Sequence, residues 1–140
     1  MSGQIVESSD TEQEWVVEQL VNYNRQFVPV NDDNYNTPLN FNIKIDDTIV
    51  AGINAVLMAR SVMFVSILWV DEKHRGNHYG STLLNHVETK AKKLGAKLIY
   101  LDTIDFQAPE FYRKYGYKEF GELENYIVSG RRKFFMKKEL

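Results

Sequence analysis

A chain of 140 residues with 44% hydrophobic and 26% charged residues is long and apolar enough for one soluble globular domain, spanning 1–140. It has no cysteine, which excludes a disulfide framework, a cysteine zinc site and a thiol nucleophile. The net charge of −2 is unevenly divided: residues 1–59 carry nine acids and two bases, residues 60–140 ten acids and fifteen bases. Solvated surface charge accounts for such a division; the functional alternative is an anion met by the second part and a cation by the first.

The N-terminus, MSGQIVESSD, lacks the basic start and apolar stretch of a signal peptide, and the longest apolar run, VMFVSILWV, is far short of a membrane span. Cytoplasmic location is the expectation. QIVES reads as a short first strand. DTEQEWVVEQLVNYNRQF follows with helical spacing, Trp15, Val16, Leu20, Tyr23 and Phe27 falling near one face and Asp10 or Thr11 as cap. VPVNDDNYNTP is turn-rich. LNFNIKI alternates, with Leu39, Phe41, Ile43 and Ile45 on one side, and DDT turns it into IVAGINAVLMA as a hairpin. VMFVSILWV is apolar on both faces, as a central strand covered on both sides would be.

After Gly80 a helix is expected, with Leu83, Leu84, Val87, Ala91 and Leu94 on one stripe. Glu88 and Lys92 lie on its outer side, and Gly95 ends it. AKLIYLDTI is a strand. APEFYRKYG is a short helix with Pro109 in its first turn and Gly116 at its cap. YKEFGELENYIV, a Ser129-Gly130 turn and RRKFFMKKE form a closing hairpin, Arg132, Phe134 and Met136 sharing one face of an edge strand. The order β-α-loop-β-β-β-α-β-α-β-β describes an α/β (α+β) mixed sheet with helices on both faces.

One segment stands out. RGNHYG, Arg75 to Gly80, joins the central strand to a helix with two glycines, an arginine and a histidine. A helix N-terminus presents unpaired N–H groups and partial positive charge, glycines admit a phosphate to them, and Arg75 adds a bidentate donor. No Gly-Lys-Ser/Thr follows, so it is not a Walker loop, and its glycine spacing is not that of a dinucleotide fingerprint. On its own the pattern also fits a plain turn.

With the segment downstream it resembles something specific. Arg/Gln-x-x-Gly-x-Gly/Ala between a central strand and a helix is the acyl-CoA pyrophosphate loop of the GNAT N-acetyltransferase superfamily. Arg75 fills its first position and Gly80 its last, while His78 stands where the middle glycine is usual. DFQAPEFYRKYGYKEFG is similar to that superfamily's aromatic-Tyr helix, with Phe111, Tyr112, Lys114, Gly116 and Tyr117 at the matching positions and Asp105 where asparagine is frequent. The resemblance implies a mixed, mostly antiparallel sheet of six to seven strands with a splayed parallel pair, here VSILWV and LIYLDT.

It also implies acetyl-CoA as cosubstrate. Backbone groups of Leu68, Trp69 and Val70 would take the pantetheine arm and aim an N–H at the thioester carbonyl, an oxyanion-type contact. Arg75, Gly76, Asn77, His78, Tyr79, Gly80 and Ser81 would cradle the pyrophosphate, and Asp105, where the family often has asparagine, is expected among the cofactor-binding residues. Tyr112, a phenol with an ordinary pKa of ~10, would touch the cofactor and act as general acid to the leaving thiolate. The base is open among Asp102, Asp105, Asp71 and Glu72. Asp102 is singled out because an acid in an apolar strand is costly to bury, the alternative being a hydrogen-bonded structural carboxylate.

The expected reaction is direct acetyl transfer to a primary amine in a ternary complex. The alternative is a non-catalytic acyl-CoA-binding sensor or scaffold, favoured by the departures at His78 and Asp105. The acceptor is expected beside QFVPVNDDNYNTP, where Asp32 and Asp33 point to a cationic amine such as a polyamine, an aminoglycoside or a lysine side chain. His74, His78 and His86 lack carboxylates at ligand spacing, so no metal is expected. A pI near 5.9 argues against nucleic acid for the basic tail. No membrane partner is expected, and the C-terminal edge strand offers a contact for a homodimer.

Overall fold

The computed structural model describes residues 2–28 and 36–140. The chain divides into two compact units, Met1–Asp32 and Asp33–Leu140.

In the first unit, α1 spans Asp10–Asn24. Its cap is Ser9 rather than Asp10 or Thr11: Ser9 Oγ accepts from the Glu12 N–H at 3.2 Å, and the Glu12 carboxylate accepts from the Ser9 N–H at 3.4 Å. This reciprocal box satisfies donors that a helix start leaves unpaired. Phe27 lies beyond the helix, its ring 5.4 Å from that of Tyr23. The apolar stripe from Trp15 to Leu20 is exposed, and α1 buries none of its residues. The strand expected at residues 4–8 does not form. Ile5 and Val6 are exposed, and among the described residues no strand pairs with the segment; an unpaired strand has nothing to satisfy its backbone.

The second unit holds β1 (Asn36–Ile45), β2 (Thr48–Met58), β3 (Val62–Val70), α2 (Tyr79–Lys93), β4 (Leu98–Ile104), α3 (Pro109–Lys114), β5 (Lys118–Glu124) and β6 (Arg132–Glu139). They build a six-stranded sheet in the order β1-β2-β3-β4-β6-β5. Every pairing is antiparallel except β3–β4. Asp46 and Asp47 both take positive φ, 48° and 65°, the primed two-residue turn whose twist suits a hairpin. A register shift between Ile43 and Lys44 ends the alternation of β1 early. Leu39, Phe41 and Ile43 therefore pack on the core while Ile45 is exposed.

The core is one cluster to which β1–β4, α2, α3 and β6 all contribute. In α2, Leu83, Leu84, Val87 and Ala91 are buried as the spacing predicts, and Gly95 with φ 105° follows the Leu94 cap. Two expectations need correction. Glu88 does not face outward toward Lys92: its side chain is 12% exposed, accepting from Tyr117 Oη at 2.7 Å and Lys138 Nζ at 2.9 Å. And β6 is not an edge strand, because it lies between β4 and β5, which leaves no free C-terminal edge for pairing with a second copy. Its charges alternate with Phe134 and Met136, which face the core, so a strand with one wet face reads from sequence like an edge.

Candidate active site

The central feature is a fork in the sheet. The parallel ladder of β3 and β4 runs from Val62↔Leu98 to Val65↔Leu101 and stops there. Each strand goes on: β3 stays paired with β2 as far as Val70↔Ala51, and β4 with β6 as far as Ile104↔Lys133. Past Val65 and Leu101 the two strands therefore part while held on their outer sides. The cause is a bulge. Asn54 of β2 pairs with Ile67 and Ala55 with Val65, so Ser66 is the extra residue, its Oγ donating to Asn54 O at 3.0 Å. A bulge bends its strand and shifts side-chain parity. Before it Met63 and Val65 enter the core; after it Leu68 and Val70 do. On the other face of β3, Val62 and Phe64 are half-buried, while past the bulge Ile67 is 54% and Trp69 48% exposed.

At the end of β3 the chain forms a 3-10 turn at Glu72–His74, where His74 Nδ1 and Asp71 Oδ2 lie 2.8 Å apart. Arg75 Nε donates to Val70 O at 3.3 Å, tying the loop to the strand. Asn77 Nδ2 donates to His74 O at 3.0 Å. Gly76 has φ 89°, and His78 sits in the left-handed region at φ 62°, ψ 20°. The His78 carbonyl accepts from Thr82 N–H, Ser81 Oγ and Thr82 Oγ1 at 2.9, 3.0 and 2.7 Å, so three donors lock the turn. Among the described residues no hydrogen bond engages the N–H groups of residues 76–81. A Cβ built on Gly76 meets nothing within 4 Å, whereas one on Gly80 would lie 3.5 Å from Phe111 Cζ and 3.7 Å from Val70 Cγ2. The start of α2, α3 and the end of β3 thus converge at Gly80.

α3 carries Tyr112, 7% exposed, its ring edge-on to Phe111 at 5.2 Å and to Tyr117 at 5.6 Å. Tyr112 O accepts the N–H groups of Tyr115 and Tyr117 at 3.1 and 3.0 Å, and Gly116 with φ 92° closes the helix. Burial, and secondarily the Asp102 carboxylate, push the Tyr112 phenol up to about 12. Tyr117 is pushed up as well, by burial and by its hydrogen bond to Glu88. Arg113 joins the carboxylates of Glu110 and Glu119.

Asp102 is the first β4 residue past the last β3–β4 pair. It is half-exposed, not buried, and forms an ion pair with Lys133 Nζ at 3.3 Å. Asp105 points elsewhere: its carboxylate accepts from Arg132 N–H at 3.2 Å and lies 3.4 Å from Arg131 Nη1, fastening the end of β4 to the start of β6. Asp32 and Asp33 lie outside the described residues.

A fork in the sheet, a helix start with open N–H groups and a buried tyrosine on the next helix are what the sequence resemblance calls for. Residues 8–117 match the model of the Acetyltransferase (GNAT) family. The chain belongs to that family. An acetyltransferase from Bacillus cereus has a crystal structure 32% identical to this chain, covering 99% of this chain and 98% of that one with a TM-score of 0.85. Acetyltransferase Atu2258 of Agrobacterium fabrum is 35% identical over 85 residues, 61% of this chain and 62% of that protein, so the match spans less than two thirds of that relative's length. An aminoglycoside 6′-N-acetyltransferase solved with coenzyme A shares the fold at a TM-score of 0.64 and 21% identity, over 97% of each chain. In the GNAT motif the middle position takes His78 because its left-handed φ, which glycine adopts freely, is one that histidine tolerates. Among the described residues no helix is long and apolar enough to cross a membrane.

Three groups were not singled out as site residues by the sequence: the Ser66 bulge and Lys133 at the fork, and the Glu88–Tyr117–Lys138 network, whose Lys138 pairs with Ile99 within the intact ladder. A serine inside VMFVSILWV was the only signal for the first. The other two link residues 29 or more positions apart in sequence, which no local pattern reports.

Proposed function

We propose that the protein transfers an acetyl group from acetyl-CoA to a primary amine by direct attack in a ternary complex. The observation that carries this reading is the fork past Val65↔Leu101, bounded by the open N–H groups of residues 76–81 at one end and approached by Tyr112 from α3. The residues fit the cosubstrate: Arg75 and the N–H groups from Gly76 to Ser81, with Asn77, His78, Tyr79 and Gly80 between them, suit a pyrophosphate. Backbone groups of Leu68 and Val70, which flank Trp69 and point away from β2 with no β4 ladder to bind, suit an amide-rich arm and a thioester carbonyl. Asp105 is engaged with Arg131 and Arg132, so its part is to hold the end of β4 in place. Acetyl-CoA supplies an activated acyl group on a thiolate leaving group.

The chain's own groups manage the protons. Asp102, at the apex of the fork, takes a proton from the acceptor's ammonium, and the freed nitrogen forms the C–N bond as the C–S bond breaks. Tyr112, protonated throughout the physiological range, gives its proton to the departing sulfur and is reprotonated through solvent by the second proton that the acylated nitrogen sheds as it becomes an amide, which leaves the Asp102 proton as the net release. Free CoA, an N-acetyl product and one net proton result. The aminoglycoside enzyme solved with coenzyme A supports an amine acceptor, the residues 60–140 surplus of bases an anionic cofactor. The test is a melting curve with acetyl-CoA followed by thiol release across an amine panel. A melting-temperature rise with amine-dependent thiol release is expected. A rise without release would leave a non-catalytic acyl-CoA binder.

A further inference from the structure

On the face of the sheet opposite Leu101 and Met136, four groups surround one ammonium. Lys133 Nζ lies 3.3 Å from Asp102 Oδ1 and 3.1 Å from Tyr126 Oη, 4.5 Å from the centroid of the Tyr126 ring and 5.7 Å from that of Phe135. A carboxylate, a hydroxyl oxygen and two aromatic faces are the set that selects an ammonium over a neutral or anionic head group. An ion pair that only joined β4 to β6 would need no aromatic walls. Tyr126 is also held there at a cost. It stands between Asn125 and Ile127, both left-handed at φ 53° and 63°, and a β-branched residue in that region is strained. Ile127 is 83% exposed, so burial does not offset the strain. The turn is secured by Gly130 N–H donating to Asn125 Oδ1 at 2.9 Å and Tyr126 N–H to Arg131 O at 2.9 Å.

Location gives the cage its meaning. Asp102 begins the separated part of β4, and its charge reaches the Tyr112 phenol. We propose that Asp102, Tyr126 and Phe135 form the recognition site for the acceptor's ammonium group, and that Lys133 is a resident stand-in which a cationic acceptor displaces. This rests on the N-acetyltransferase reading and narrows it to acceptors that are ammonium ions when they bind. Lys133 itself is held in its charged form, its pKa raised first by the hydrogen bond to Tyr126 and further by Asp102, so it fills the site as a cation and is no competing nucleophile.

The probe is n-propylammonium chloride, compared with sodium chloride at equal ionic strength, in thermal melts of the full chain. Lys133→Ala is expected to show a saturable rise in melting temperature. That rise is much weaker in the wild type, where Lys133 occupies the cage, and lost in Lys133→Ala/Asp102→Asn. With an amine that is active in the thiol-release assay, Lys133→Ala is expected to lower the acceptor KM by about fivefold, the scale of a partly exposed ion pair. No rise in Lys133→Ala, or the same rise in the double variant, overturns the proposal. A wild-type measurement covers a variant that fails to fold. Tetramethylammonium is expected to speed acetylation of Lys133 by N-hydroxysuccinimidyl acetate relative to exposed Lys97 and Lys118, and an unchanged ratio overturns the proposal. Cage binding without thiol release from any amine overturns the transferase reading and the acceptor role with it; thiol release without cage binding overturns the cage alone.

Discussion

Tyr112 is the proposed general acid, and its environment predicts how it behaves. A phenol pushed up to about 12 stays neutral well above physiological pH. Tyr112→Phe is expected to lower kcat by about a hundredfold, the scale of one general acid, with the KM for acetyl-CoA little changed. Because the proton leaves only near 12, the wild-type pH profile between 7 and 10 is expected to lack a falling limb from Tyr112; a fall centred near 9 that vanishes in Tyr112→Phe would contradict the assignment. His78 makes a backbone argument of the same kind. Its left-handed φ of 62° is open to glycine and costly to a β-branched side chain. His78→Gly is expected to keep acetyl-CoA affinity within about threefold, and His78→Val to weaken it about tenfold, from a backbone cost of about 1–2 kcal/mol. Calorimetric titration of the two variants measures the difference.

Among the elements, α2 was the most legible in the sequence. Leu83, Leu84, Val87 and Ala91 fall at helical spacing, and both Gly95 and Gly116 take the positive φ that their places after helices called for. Gly95 is doubly constrained, by φ 105° and by Arg60 O, which would lie 3.1 Å from a Cβ. Gly95→Ala is therefore expected to cost about 1–3 kcal/mol, measured by denaturant unfolding. What local pattern did not convey is how elements meet. The Ser66 bulge moves the core-facing side chains of β3 from Met63 and Val65 to Leu68 and Val70, yet a bulge depends on the partner strand as much as on its own residues. Glu88 turns inward because Tyr117 and Lys138 wait there, partners from other elements. The strand expected at residues 4–8 and the edge position expected for β6 failed for the same reason: alternation marks a strand, but pairing decides whether it forms and where it lies.

For the whole molecule, the two raised phenols make a pH prediction of definite sign. Tyr112 and Tyr117 both hold their protons more tightly folded than unfolded, chiefly through burial. Their stabilisation is complete below the unfolded value of ~10 and is lost as pH rises above it. Melting temperature is expected to fall steeply between about pH 10 and 12, and less steeply in Tyr117→Phe. A slope unchanged in that variant would contradict the burial argument. The fork, the open helix start and the buried tyrosine otherwise point to one activity. The most direct measurement of it is free thiol released from acetyl-CoA, with and without a panel of primary amines. Release is expected to depend on the amine, rise with its concentration and collapse in Tyr112→Phe. Acetyl-CoA that raises the melting temperature while no amine increases thiol release above the amine-free rate would contradict it.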